Sequence, residues 1–331
     1  MSEQRNIKGL DLGTSRIVVA RPRQENRFEF STQLNAFVAL PHSKVTESML
    51  ERERILFSIE DGEILAYGNK VEKFANLLGG ETRRPMQTGL LNPREPKSLH
   101  MTELALRHLC GPAQPGEKIC FSVPAAPPTN QQDLIYHERT VTQMLEQLGY
   151  QVKSLNEGLA VVYAELENDS FTGIGISFGG GMCNVCLAYL GMPAISFSTV
   201  RAGDYIDRSA ASVSGESPTA VRLYKENGFA LNGRSGAGVD QALSVYYMEV
   251  IQHVVDGLGK ALGETNKLPR LDASIPVVIG GGTALARGFR EELEKALRQR
   301  ALPLKISEVR LASEPLDTTA KGAAMAAVLD M

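Results

Sequence analysis

Residues 7–20 read Ile-Lys-Gly-Leu-Asp-Leu-Gly-Thr-Ser-Arg-Ile-Val-Val-Ala, and residues 174–187 read Ile-Gly-Ile-Ser-Phe-Gly-Gly-Gly-Met-Cys-Asn-Val-Cys-Leu. In both stretches a short apolar run stops at a glycine turn and an apolar, β-branched run resumes, which is the pattern of a β-hairpin. Superposing the turns pairs Asp11 with Ser177 and Gly13 with Gly179. The offset is 166 positions in a chain of 331. A motif repeated at half the chain length predicts a duplicated architecture of two domains, each long enough to bury its own core.

Working outward, residues 119–123 (Ile-Cys-Phe-Ser-Val) form a buried-type strand that prolines end at 124–128. Thr129 is then expected to cap a helix with Leu134, Val141, Leu145 and Leu148 on one face and Gly149 as its stop. Helices are also predicted over 158–166, 239–262 and 285–300, with a strand over 276–279. Strands alternating with helices on this scale define an α/β protein. The glycine-rich residues 228–238 read as a loop or small hairpin, and residues 85–96, with three prolines, as an ordered excursion.

Three glycine turns follow apolar strands: Asp11 to Ser15, Ser177 to Gly181, and Gly280-Gly281-Gly282-Thr283. Glycine allows positive φ and close backbone approach, so such a turn can aim several N–H groups at one phosphate. The third turn also opens a helix, whose N-terminus favours an anion or a polar group.

Six segments stand in a characteristic order. They are Gly9-Leu-Asp-Leu-Gly-Thr-Ser15, Arg84-Pro-Met86 with Gly89, Gly179-Gly-Gly-Met-Cys-Asn184, Arg201-Ala-Gly-Asp-Tyr-Ile-Asp207, residues 280–288, and Glu314-Pro-Leu316 with Ala320-Lys-Gly-Ala323. Together they resemble the actin-like ATPase superfamily, most closely the bacterial actin homologues of the MreB and MamK type, over residues 9–328. The resemblance implies an α/β, duplicated, ribonuclease H-like two-domain fold with a nucleotide cleft between the domains. Domain I would span 1–155 and domain II 156–314, with a helix at about 315–331 returning to domain I. Residues 226–240 are short against the MreB pattern, so the small subdomain around 215–240 should be reduced.

Position by position, the resemblance implies ATP or ADP with Mg2+. Asp11 would order the water shell of the metal, and Gly13, Thr14 and Ser15 would donate to the β- and γ-phosphates. Ser177, Gly179, Gly180 and Gly181 would form the second phosphate loop, with Gly203 and Asp204 lining the cleft. Asp207 lines it too or caps a helix. Gly280, Gly281, Gly282 and Thr283 would hold the adenosine, with Glu226 at the ribose and Arg222 nearby; both charges also suit an exposed helix. Counting forward from Val123-Pro124 puts Gln131 where the family keeps the residue that orients attacking water, although a solvated residue in a first helical turn has the same appearance. Ser177 stands where the family has aspartate and Met182 where it has threonine. A serine brings no charge to the metal, so hydrolysis is expected to be weak, and Ser177→Asp to raise it.

The implied function is a cytoplasmic protein that polymerises head to tail into filaments in an ATP- and Mg-dependent way and organises or positions cell components through protein adaptors. Residues 1–6 supply no amphipathic helix, so membrane contact is expected to be absent or indirect. A non-polymerising ATP-dependent scaffold or chaperone-like ATPase is the alternative. A small-molecule kinase is a third reading, disfavoured because the chain lacks the insertions that build a substrate pocket.

Composition agrees with a globular chain: 43% hydrophobic and 22% charged residues exclude a disordered protein. With 35 basic against 38 acidic residues the chain has no electrostatic footprint for nucleic acid. Cys183 and Cys186 form a C-x-x-C, but on a strand residues three apart face opposite ways, so structural thiols are expected. The five histidines show no metal-ligand spacing. Neither a G-x-S-x-G elbow nor a Walker loop is present.

Overall fold

The computed structural model describes residues 6–23, 27–78, 80–126, 131–231, 238–264 and 273–329. Both predicted hairpins form. In the first half, β1 (Ile7–Leu12) pairs antiparallel with β2 (Arg16–Pro22), which pairs with β3 (Phe28–Leu34). An excursion follows: β4 (Phe37–Pro41), α1 (Lys44–Glu53), β5 (Leu56–Glu60), β6 (Glu63–Tyr67) and α2 (Val71–Leu78), with a small sheet ordered β4-β6-β5 over its own apolar cluster around Leu50, Ile64 and Phe74. After the short pair β7 (Met86–Gln87) and β8 (Leu90–Leu91) come α3 (Ser98–Cys110), β9 (Lys118–Val123), α4 (Gln131–Gln147) and β10 (Gln151–Asn156). The second half runs α5 (Glu157–Glu165), β11 (Gly173–Phe178), β12 (Cys183–Tyr189), β13 (Met192–Thr199), α6 (Gly203–Ser214), α7 (Pro218–Glu226), α8 (Val239–Glu264), β14 (Ile275–Gly280), α9 (Phe289–Gln299), β15 (Ile306–Leu311) and α10 (Thr318–Leu329).

The duplication is visible in the sheets. One has the order β10-β9-β1-β2-β3 and the other, read from its far edge, β15-β14-β11-β12-β13. In each the leading strand of the hairpin is central, with a parallel neighbour on one side and its antiparallel partner on the other. The registers coincide: Leu12 faces Ile17 and Phe178 faces Cys183. So do the turns, since the Gly13 amide donates to Arg16 O and the Gly179 amide to Met182 O, both at 3.0 Å. All six residues of β11 and of β14 are buried, as expected of central strands covered on both faces.

Small residues decide how the halves meet. A Cβ on Gly9 of β1 would run into the backbone of α10 at Ala320, and one on Gly175 of β11 would lie 2.9 Å from Val162 of α5. These two glycines are again 166 positions apart. The two helices pack on each other just as closely: a Cβ on Gly322 of α10 would come within 2.9 Å of Ala160 Cα in α5. The C-terminal helix thus returns to the first sheet, packing on β1, β2 and β9 while touching α5. Its alanines and glycine allow that approach, which larger side chains would hold apart.

One expectation is adjusted. The helix expected over 285–300 starts at Phe289, because residues 282–285 form a 3-10 turn first. Thr129 and residues 232–237 lie outside the described residues, so the cap on α4 and most of the glycine-rich stretch receive no structural account. The thiol argument holds: Cys183 packs with the α8 side of the second sheet and Cys186 with the α5 side. Burial raises both thiols well above their ordinary value.

Candidate functional site

The three glycine turns converge on one cleft between the two sheets. A Cβ on Gly181 would stand 2.7 Å from Gly89 N and against Thr14 Oγ1; one on Gly180 would meet Ser15 Oγ and lie 3.5 Å from Asp204 Oδ1. The turns of the two halves therefore face each other with no room for side chains. Thr14 accepts from the Gly89 amide at 2.9 Å. The third turn is tied to the second, as Thr283 Oγ1 donates to Gly179 O at 2.9 Å and the Gly203 amide to the same oxygen at 3.1 Å. The Asp204 amide donates to Gly180 O at 2.7 Å. Gly281, at φ +90°, sits against the Phe178 backbone, a place and conformation that suit only glycine.

These turns bound a cavity of about 440 Å3. Asp11, Gly13, Thr14, Ser15, Ser177 and the three glycines Gly179, Gly180 and Gly181 line it, with Gly203, Asp204, Gly281, Gly282 and Thr283. Arg222 and Glu226 line it as well, although Arg222 makes an ion pair with Glu72 of α2 in the other half at 2.7 Å. Gly280 lies just behind, as the last residue of β14, and does not reach the cavity wall. Gln131 is exposed at the first position of α4 and is likewise not among the lining residues. Asp207 lines the cavity too and is no cap: it lies buried inside α6 and takes Lys225 at 2.7 Å. Farther along, Phe229, Tyr247, Leu285, Ala286 and Leu316 give the cavity an apolar end. There the rings of Phe229 and Tyr247 stack 5.3 Å apart.

The floor holds a residue that sequence reasoning missed. Glu157, the first residue of α5, accepts from Ser177 Oγ at 3.2 Å and from Asn184 Nδ2 at 2.9 Å. Asp11 accepts from Ser122 Oγ at 2.9 Å. Burial raises both carboxyls above their ordinary values; the charge of Asp11 adds to the rise at Glu157, and Asp317 adds to the rise at Asp11. Two carboxylates pushed toward protonation beside one another form a site that a cation would relieve. Gly158 puts Glu157 there: a Cβ at 158 would stand 2.7 Å from Cys186 N, so the glycine lets the start of α5 press onto β12 and turns the preceding side chain into the cleft. A Glu-Gly pair where a strand meets a helix was the available signal. Asn184 also ties the halves, since its Oδ1 accepts from the Ala125 amide at 2.9 Å while Ser198 donates to Ala125 O at 3.0 Å.

The family model described as Volactin matches residues 7–327. This chain belongs to the Volactin family. Among solved structures, the Volactin-family chain is similar to the MamK double helical filament, with a TM-score of 0.72, 18% identity, and coverage of 97% of this chain and 98% of that one. It is similar to MreB5 of Spiroplasma citri bound to ADP, at a TM-score of 0.63, 13% identity, and 96% and 94% coverage. It also matches the ethanolamine utilization protein EutJ from Carboxydothermus hydrogenoformans, at 0.57, 16%, and 96% and 88%. At these identities the likeness establishes the fold, the actin-like two-domain fold that the sequence resemblance implied. Among curated proteins no relative matches. Within the described residues no helix of this Volactin-family chain is long and apolar enough to cross a membrane.

Proposed function

We propose that this Volactin-family chain is a cytoplasmic cytoskeletal protein that binds ATP or ADP with Mg2+ between its domains and polymerises head to tail into filaments. The observation that carries the nucleotide reading is the pair of facing glycine turns, one from each repeat, above the floor carboxylates Asp11 and Glu157. Backbone donors at Thr14 and Ser15 and at Gly180 and Gly181 suit phosphates, the Gly13 and Gly179 amides being spent on closing their turns. The loop from Gly281 to Thr283, with Glu226, suits the nucleoside. The domains we take as 1–155 and 156–314, with 315–331 returning to the first.

The donor set fits magnesium. It offers hard carboxylate oxygens, and no group of three or more metal-ligating side chains exists among the described residues. Mg2+ commonly takes one or two protein carboxylates and completes its shell with water and phosphate oxygens. Asp11 and Glu157 would hold it, directly or through waters, and the ion would neutralise phosphate charge that the acidic floor otherwise repels. Ser122, Ser177 and Asn184 orient the two carboxylates. Thus Ser177 need not carry charge itself: a bound cation would draw the proton from Glu157 behind it, whose carboxyl the metal-free cleft holds toward the protonated form. Gln131 has the water-orienting role by resemblance alone, and Gln131→Ala tests it: phosphate release should fall while nucleotide affinity stays.

Polymerisation is supported by likeness to the MamK filament, over nearly the whole of both chains. It needs a heterologous interface that repeats without closing. Protein adaptors would link such filaments to the components they position. Isothermal titration with ATP tests the site: binding that requires Mg2+ and is lost in Asp11→Ala is expected, and equal affinity with and without the metal would refute the acidic-floor account.

A further inference from the structure

Arg84 lies between α2 and β7, and its Nη1 stands 3.2 Å from Ser15 Oγ and 3.3 Å from Asp204 Oδ1. Ser15 belongs to the first glycine turn; Asp204 lies in the first turn of α6 in the other half and is tied by its amide to Gly180 of the second turn. The guanidinium therefore closes over the point where the two turns meet. Its mounting is rigid. Arg83 exchanges both backbone hydrogen bonds with Phe37 of β4, at 2.8 and 2.9 Å, and its side chain pairs with Glu95. On the other side, Pro85 O accepts from Ser98 Oγ at 2.6 Å and from the Asn92 amide at 2.8 Å.

Only the side chain is left to exchange partners, and it is in a position to do so. Arg84 and Asp204 retain 24% and 20% exposure, so the pair is not locked in the core. Both contacts use Nη1, and among the described residues Nη2 and Nε make none. A guanidinium offers five donors in a planar fork suited to phosphate. Arg84 does not line the 440 Å3 cavity; it lines a second one of about 570 Å3 that shares Thr14, Asp204, Asp207 and Arg222 with the first and continues the cleft outward. A phosphate chain held by the glycine turns would meet this arginine with the group that projects farthest.

Building on the nucleotide reading above, we propose that Arg84 distinguishes a nucleoside triphosphate from a diphosphate. With a diphosphate bound, the guanidinium stays on Asp204; with a triphosphate, it leaves Asp204 for the terminal phosphate and joins that group to domain I. Asp204 is then the competing anion that keeps the arginine off the site until a third phosphate arrives.

The test is equilibrium binding of AMPPNP and of ADP, each with Mg2+, to the full chain and to Arg84→Gln, Arg84→Lys and Asp204→Asn. The wild type should prefer AMPPNP. Arg84→Gln should lose roughly tenfold or more of its AMPPNP affinity, the worth of a charged hydrogen bond, with ADP affinity nearly unchanged. Arg84→Lys should recover part of the loss, and Asp204→Asn should bind AMPPNP more tightly than wild type. An equal loss for both nucleotides in Arg84→Gln would reduce Arg84 to a clasp between domains and overturn the proposal, as would no loss at all. A wild type that binds neither nucleotide would overturn the nucleotide reading itself.

Discussion

The hydroxyl of Ser177 donates to the carboxylate of Glu157 at 3.2 Å, so the end of β11 and the start of α5 share one polar contact beside Asp11. The repeat that has Asp11 in its first copy has a neutral residue in its second, and Glu157, 20 residues earlier in the chain, brings the second carboxyl to the cleft.

Glu157→Gln should therefore stabilise the metal-free protein and weaken its use of magnesium. The substitution removes one member of a repelling, desolvated pair. We expect the melting temperature without metal to rise by a few degrees and Mg-dependent ATP affinity to fall about tenfold or more. Ser177→Asp should do the reverse to stability, since it adds a third carboxylate beside the pair, and Mg-ATP should restore the loss. Paired thermal melts with and without Mg-ATP check both.

The same sheets expose what the sequence made legible. The 166-residue offset located both hairpins, the turn glycines and hence the cleft, because a glycine turn between apolar strands has few alternative structures. Glu157 was hidden because its role arises from the charge of Asp11, 146 positions away in the chain, and a lone glutamate after a short strand has no periodicity to mark it. Gln131 was located by counting along the chain, and its place outside the cavity wall depends on how α4 leaves β9, which no local pattern encodes. Arg222 had two readings, ribose neighbour and exposed helix charge; its partner Glu72 lies on an element that meets α7 only in the folded chain.

That ion pair joins the two halves beside the outer cavity. Opening the cleft must break it, so Arg222→Ala or Glu72→Ala should speed nucleotide release by about threefold to tenfold, corresponding to about 1 kcal/mol for a partly exposed pair. A stopped-flow chase of a fluorescent nucleotide measures this. The charge-swapped double variant Glu72→Arg with Arg222→Glu should return toward the wild-type rate.

Acid should loosen α4. His137 is buried, accepts the Leu91 amide on Nδ1 at 3.2 Å, and is pushed by burial from 6.5 down to about 4. The unfolded chain takes up this proton first, so the contribution is full above about pH 6.5 and is lost progressively as pH falls toward 4. The upper bound is about 3 kcal/mol. The floor carboxylates act in the opposite sense, since their raised folded values mean that the metal-free protein gains stability as they protonate on acidification. Comparing denaturant unfolding of wild type and His137→Asn from pH 7 to pH 4 isolates the histidine. The variant, which keeps an acceptor, should lose less.

Close packing of α5 on α10 sets the tolerance for side chains at their crossing. Gly322→Ala puts a methyl group against the Ala160 backbone, with Ala160 Cα at 2.9 Å, and backbone cannot swing aside as a side chain would. A loss of roughly 2–3 kcal/mol in denaturant unfolding is expected, typical of overpacking. An unchanged midpoint would mean that the two helices separate at little cost.

The central claim is nucleotide-controlled polymerisation, and high-speed sedimentation of the purified chain tests it most directly. Three samples would be compared, without nucleotide, with Mg-ATP and with Mg-AMPPNP, and any pellet examined by electron microscopy. The account predicts ordered filaments in the two nucleotide samples and none in the first. A clear supernatant in all three, from protein that binds Mg-ATP, would contradict it and make the chain an ATP-dependent scaffold.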